Sequence, residues 1–338
     1  MGIEKYNSFL YGNGLTLAVL NQIKKIFTSP PIDRYLDFNI FFNEFIRAED
    51  HKRILRDFNK YFELNKDTIK THLEIRNFIC QRSDEIQKIG FERWVGKYLF
   101  VKDQVPKNVI IYLYVLYNYW YHLIHQNILT KFEVVELLQK IGDLIKQKIE
   151  INKNIYTLNF DTILDEYLNP QHLHGVFALP LKDIKELFLN FYDENEVEYI
   201  YLFGSNGEEK RSRLDKIRSF KQNRYDLDRL YGKDINLGHL LIYGISFGNT
   251  EFITPAFLEK YPNHVNEYYF RSVDGHILLR LNQLYGDAKI EKITISYYSQ
   301  DDLVNYKNII RFTDFEPIVK YKQCDEIFNF NKLNKNTV

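Results

Sequence analysis

Asn154-Ile-Tyr-Thr-Leu-Asn-Phe-Asp161 limits what this chain can fold into more than any other stretch. Ile155, Tyr156, Thr157 and Leu158 follow one another without the polar alternation of a half-exposed strand. Such a run suits a short strand covered on both faces, the condition of a parallel sheet held between helices. Asn159 and Asp161 stand two residues apart, so in extended geometry both project to the same side. Ligands of open α/β sheets collect outside the carboxyl ends of the strands, where this amide and carboxylate are delivered. Gln171-His-Leu-His-Gly175 follows shortly, adding two imidazoles beside a glycine that permits a tight turn.

Other segments repeat the strand-then-polar pattern. Ser8-Phe-Leu-Tyr11 reads as a first strand, followed by Gly12-Asn13-Gly14 and a helical segment over 15–23 that opens with Leu15 and Thr16. Strand, Gly-x-Gly, helix is an order that cradles phosphate: one glycine turns the chain, the next lets backbone approach a pyrophosphate, and the helix N-terminus supplies amides. The third glycine of the dinucleotide fingerprint is replaced by Leu17, and a plain strand-to-helix turn explains the same residues. Further strands are expected over 198–203, 239–243 and 292–298, the second ending in Gly244-Ile-Ser-Phe-Gly248. Helical patterns over 182–191, 251–260, 275–284 and 301–310 alternate with them, as a doubly wound, mostly parallel α/β sheet requires.

Between the first strand and the Asn-Phe-Asp strand lie helix-period segments at 39–47, 49–64, 67–88 and 133–148. The expected organisation is therefore an α/β domain of residues 1–28 and 150–320, a helical insertion over 29–149, and a C-terminal tail over 321–338, Asn/Lys-rich and frayed from 328. The most apolar piece, 109–124, is short for a membrane span and is interrupted by Asn118, His122 and several tyrosines, which favours a buried helix or a protomer contact.

Composition removes several classes of function. Among 338 residues the formal net charge is zero, giving no global footprint for nucleic acid or anionic membrane. Cys80 and Cys324 are the only cysteines, too few for a disulfide framework or a cysteine-based structural zinc site, which suits a reducing cytoplasm. The first residues lack the apolar core of a signal peptide, so a cytoplasmic location is expected.

Gly12-Asn-Gly14, Leu158-Asn-Phe-Asp161, His174-Gly175 and Gly244-Ile-Ser-Phe-Gly248 occur in an order that resembles the sirtuin-like NAD-binding superfamily. The resemblance extends to its bacterial antiphage members, the AbiH type of abortive-infection protein and the defence-associated sirtuin-like NAD hydrolases. It covers roughly 6–25 and 150–310, not the helical insertion. It implies a sirtuin-like Rossmann variant that cleaves the nicotinamide glycosidic bond of NAD as its substrate, without metal. It also implies an antiphage effector acting by NAD depletion, as a homo-oligomer or with a partner protein of a defence system. On this resemblance Asn159 holds the attacking water or a ribose hydroxyl, His174 is the general base, and Asp161 binds the ribose or carboxamide region. Gly12, Asn13, Gly14, Leu15 and Thr16 receive the pyrophosphate, while Gly244, Ser246 and Phe247 line the ribose or adenosine side. The chain departs from sirtuin deacylases in lacking a four-cysteine zinc module, and its acidic residue after Gly248 is displaced to Glu251. Tyr35-Leu-Asp-Phe38 is the nearest match to the segment that reaches over nicotinamide.

Plainer readings stand beside these. Asn-x-Asp at a strand end caps the next helix in many proteins. His172-x-His174 fits two structural histidines, or a metal pair without an evident third ligand. Gly-x-Ser-x-Gly around Ser246 also fits a serine hydrolase, for which only His264 and His276 follow as candidate bases. The basic run from Lys210 to Arg224 fits a solvated helix face, or a contact for a phosphorylated ligand or a nucleic-acid partner. A pocket that binds NAD or ADP-ribose without cleaving it is the alternative to catalysis.

Overall fold

The structure is a computed structural model that describes residues 4–27, 36, 40–42, 56, 60, 66–89, 116, 119–150, 154–159, 161–173, 235–247 and 275–336. The chain divides into two compact units: Met1–Ile26, Lys131–Val176 and Gln222–Val338 form one, Phe27–Thr130 and Phe177–Lys221 the other.

Six parallel strands organise the first unit: β1 (Ser8–Tyr11), β2 (Ile155–Thr157), β3 (Gln171–His172), β4 (Gly238–Tyr243), β5 (Ile290–Tyr297) and β6 (Val319–Gln323). They lie in the order β3-β2-β1-β4-β5-β6, a Rossmann-like arrangement in which the winding direction reverses between β1 and β4. The helices in chain order are α1 (Asn13–Ile26), α2 (Lys66–Cys80) and α3 (Ser83–Ile89), then α4 (Phe132–Lys146), α5 (Asp165–Leu168), α6 (Gly275–Gly286), α7 (Gln300–Ile310) and α8 (Cys324–Ile327). Among the described residues no helix is long and apolar enough to cross a membrane.

The two faces of the sheet follow from period-2 alternation. Leu10, Leu240, Ile242, Ile293 and Ile295 join Ile277, Leu281 and Ile309 of α6 and α7 in one buried cluster. Residues one step along turn the other way: Phe9 and Tyr243 meet the ring of Phe328, with centroids 5.8 and 5.3 Å apart. Full burial of side chains such as Phe9, Leu241 and Ile293 contributes about 1.5–3 kcal/mol each. Helix α7 starts where Ser299 and Asp302 close a capping box: Asp302 N–H donates to Ser299 Oγ (3.1 Å) and Ser299 N–H to Asp302 Oδ2 (2.9 Å).

The expected strands at 8–11, 239–243 and 292–298 are present with small shifts at their ends, and Asn-Phe-Asp follows a strand that closes at Thr157. Helices at 275–286 and 300–310 also match their patterns. The tail is different from its expectation. Val319–Gln323 is an edge strand paired with β5, and beyond it Phe328, just after α8, and Phe330, which opens a 3-10 segment Phe330–Asn336, are buried. Apolar side chains among the asparagines and lysines give this segment a packed seat.

In the second unit, the single helical pattern at 67–88 is two helices. Arg82 Nη1 donates to the Phe78 carbonyl (3.1 Å) at the break between α2 and α3. Of the apolar stretch at 109–124, residues 116 and 119–124 are described as helical; Tyr119, Trp120, Tyr121 and Ile124 are buried, and a π-helical turn, His125–Leu129, follows. The strand expected at 198–203, the helices at 182–191 and 251–260, Tyr35-Leu-Asp-Phe38 as a whole except Leu36, and the basic run at 210–224 lie outside the described residues. Most of 39–64 does too.

Candidate active site

At the reversal of strand order β1 and β4 stay paired through Tyr11 and Tyr243, and two glycine turns meet just beyond them. Gly12 N–H donates to the Tyr243 carbonyl (3.0 Å), and Gly14 N–H to the Gly244 carbonyl (2.8 Å). Gly244 has φ +64°, and a Cβ on Gly14 would lie 2.5 Å from Gly244 Cα, so backbone packs on backbone. Leu15 N–H donates to the Gly12 carbonyl (3.0 Å). The turn expected to offer Gly14 to a pyrophosphate thus brings it against Gly244, and the amides of Gly14 and Leu15 serve the protein's own carbonyls. Asn13 is exposed, Leu15 is buried, and Leu17, at the third-glycine position, is 50% exposed. Tyr298, just after β5, donates its hydroxyl to the Gly14 carbonyl (2.8 Å). Beyond Gly244, Ser246 is exposed, whereas Phe247 is fully buried with its ring edge-on to Tyr306.

Thr16, on the first turn of α1, joins the two polar residues that follow β2. Asn159 Nδ2 donates to Thr16 Oγ1 (2.7 Å), and Thr16 Oγ1 donates to Asp161 Oδ2 (3.0 Å). The direction is fixed by the carboxylate, which only accepts, so the hydroxyl gives its proton to Asp161 and accepts from Asn159. Asn159 therefore turns its nitrogen inward, and its carboxamide oxygen carries no hydrogen bond among the described residues. Asn159 N–H also donates to Thr157 Oγ1 (3.0 Å). Thr16, more than a hundred residues away in the chain, is thus joined to Asn159 and Asp161, and all three side chains are buried within one hydrogen-bonded chain.

Asp161 accepts Ile163 N–H at its second oxygen (3.2 Å), which closes a local turn and does not cap α5, whose first residue is Asp165. Burial raises its carboxyl to about 6, against the lowering effect of the Ile163 and Thr16 hydrogen bonds and the nearby His172. Tyr11, buried beneath, is raised well above the usual phenol range by burial and by the charges of Asp161 and Asp165.

Helix α5 ends at Asn169 in the left-handed region (φ 48°), Pro170 follows, and the chain re-enters the sheet as β3. Register pairs His172 with Thr157 and Thr157 with Tyr11, so His172 sits on the last row of the sheet. Its Nδ1 lies 2.8 Å from the Asn159 carbonyl and its Nε2 3.0 Å from both Asp165 oxygens. Burial pulls the imidazole down, but Asp165, the Asn159 carbonyl and Asp161 together carry it above its ordinary value. Asp165 was not singled out in the sequence; the one signal is an acidic residue placed just before the Asn-Pro turn that sends the chain back as β3.

The structure thus brings Gly12, Gly14 and Leu15 together with Gly244 through the glycine contact, and Thr16 with Asn159 and Asp161 through hydrogen bonds, and leaves Asn13 exposed. His174 and Gly175 lie outside the described residues, as do Gly248 and Glu251. So does His264, and of His276 only the backbone within α6 is described. Among the described residues no cluster of three histidine, cysteine or acidic side chains is placed to hold a metal. Searches of protein-family models, curated proteins and solved structures found no match to this chain.

Proposed function

We propose that this chain is a sirtuin-like NAD hydrolase that releases nicotinamide and ADP-ribose, and that it acts as an antiphage abortive-infection effector by depleting NAD. The observation that carries the reading is Asn159. Its nitrogen is anchored on Thr16 and its oxygen is left over, at the carboxyl end of the sheet beside the reversal point where such sheets bind ligands.

The chemistry asks little beyond positioning. Nicotinamide departs from C1′ of the ribose with the electron pair of the glycosidic bond, which neutralises its ring charge, so no acid is needed at the leaving group. Water adds to the oxocarbenium-like carbon and passes one proton to a base. An amide oxygen fixed like that of Asn159 accepts a hydrogen bond from that water or from a ribose hydroxyl and orients it. His174 is the proposed base. Asp161, ionised above about pH 6, adds negative charge that favours the developing cation.

One finding favours a second reading. With the amides of Gly14 and Leu15 engaged internally, fewer backbone donors remain for a pyrophosphate, which suits a module that senses NAD or ADP-ribose without turnover. Incubating the purified protein with NAD and with its activator or neighbouring gene product separates the two. An enzyme releases nicotinamide and a sensor only binds. In the enzyme, His174→Ala lowers cleavage about a hundredfold with binding largely kept. Unchanged cleavage in that variant would remove His174 from the chemistry.

A further inference from the structure

We propose that His172 and Asp165 are positioning residues that hold Asn159 in its working orientation. The inference rests on the reading of Asn159 above for its catalytic consequence, and on geometry alone for the clamp itself.

Both ring nitrogens of His172 face groups that only accept: the Asn159 carbonyl at 2.8 Å and the two Asp165 oxygens at 3.0 Å. A neutral imidazole has one N–H and would leave one of these contacts as a lone pair against a lone pair. The imidazolium satisfies both. Its other neighbours agree in sign. Asp161, from the loop after β2, favours the cation, and the Tyr11 phenol of β1 is held neutral by burial. With both nitrogens committed as donors, His172 has no lone pair with which to take a proton from water.

Its role is carried through Asn159. That residue is tied at three points: its amide to Thr157, its side chain to Thr16, and its carbonyl to His172. The first two belong to β2 and α1. The third ties it to β3, and through Asp165 to α5. Without His172 the Asn159 carbonyl loses its donor, and the residue is held only by its N–H bond to Thr157 and its side-chain bond to Thr16. A misplacement of about 1 Å in a reacting group can cost up to about a hundredfold in rate, so partial loss of one of three ties corresponds to about tenfold.

The test uses the full chain with His172→Ala, His172→Gln, Asp165→Asn and wild type, each checked for cooperative unfolding. In NAD cleavage, His172→Ala is expected to lower kcat about tenfold with KM changed less than about twofold. Glutamine can donate one amide N–H to the Asn159 carbonyl, and His172→Gln should recover part of the loss. In wild type, kcat should decline as alkaline pH removes the imidazolium proton, a limb missing from His172→Gln. Nitrogen-15 NMR of labelled histidine should show both His172 nitrogens protonated at neutral pH, and the Asn159 side-chain amide protected from exchange in wild type and exposed in His172→Ala. Wild-type kcat in His172→Ala, or a neutral His172 ring with unprotected Asn159, would overturn the proposal. If wild type cleaves no NAD, the catalytic reading falls, while the NMR result still decides the clamp by itself.

Discussion

His172 and His239 are two enclosed histidines at opposite ends of the same parallel sheet, and their surroundings push them in opposite directions. His172, on the last row of β3, is ringed by acceptors and is driven toward its cation. His239, at the start of β4, bonds Thr294 (2.9 Å) and lies edge-on to Tyr6, and burial together with Lys292 brings it down to about 4. Near it, Glu4 pairs with Lys292 and Lys322 and is lowered to about 2, chiefly by the Lys322 hydrogen bond. That cluster neutralises itself with partners to spare. At the carboxyl end, two carboxylates share one imidazole, and one of them, Asp161, is held near 6 by burial. Burial makes both Asp161 and His239 harder to ionise; what separates the two ends is that Asp161 and Asp165 both act on the single imidazole of His172, whereas Glu4 is matched by two lysines.

The sharpest break should come from the glycine contact. Gly14→Ala would set a Cβ against the Gly244 backbone, and an overpacking loss of about 3 kcal/mol or more is expected in denaturant unfolding. Gly286, at the end of α6, has open space where a Cβ would go, so Gly286→Ala should leave stability nearly unchanged. Equal losses at both would show that the glycine contact at the reversal point is not tight.

Next in size is Thr16→Ala, which strands the Asn159 amide and one Asp161 oxygen. A loss of about 1–3 kcal/mol is expected, with Thr16→Ser largely restoring it. Chemical denaturation of the three proteins checks this, and a neutral alanine variant would mean the chain Asn159–Thr16–Asp161 is not formed.

The net effect in wild type is smallest for pH dependence, where the two ends oppose each other. Asp161 holds its proton in the folded state up to about 6, against a reference of 3.8, so its contribution to stability is greatest at low pH and is lost as pH rises through about 6. His239, lowered from 6.5 to about 4, contributes fully above its unfolded value and loses that contribution as pH falls toward 4. Removing one should expose the other. Stability measured across this window should rise more steeply with pH in Asp161→Asn and less steeply in His239→Asn than in wild type. Reversed slopes would contradict the assignment of the two environments.

Much of the sheet was legible because its central strands are apolar runs ended by glycine or small polar residues, as at Leu240 to Gly244. The edges were not. Val319-Lys-Tyr-Lys-Gln323 alternates half-buried Val319 and Tyr321, packed against the core, with two lysines, as an edge strand does, but two apolar residues are too brief a run to mark a strand. β3 is two residues long, too short for any period. At the site, Asn159 and Asp161 were visible as a polar pair after a buried strand. Thr16 was assigned to phosphate, because its hydrogen bonds to both depend on the packing of α1 over β2. Asp165 and the backbone partners of His172 depend likewise on the turn at Asn169 and Pro170. The glycines were read for ligand approach, and their mutual contact needed the register of β1 on β4.

The most direct measurement of the central claim is nicotinamide release from NAD by activated wild-type protein and by Asn159→Ala, with folding of both verified by their unfolding transitions. Wild type is expected to release nicotinamide and the variant to fall by about a hundredfold or more, with NAD still bound. Release at the wild-type rate from Asn159→Ala, or no release from wild type under any activating condition, would contradict the claim.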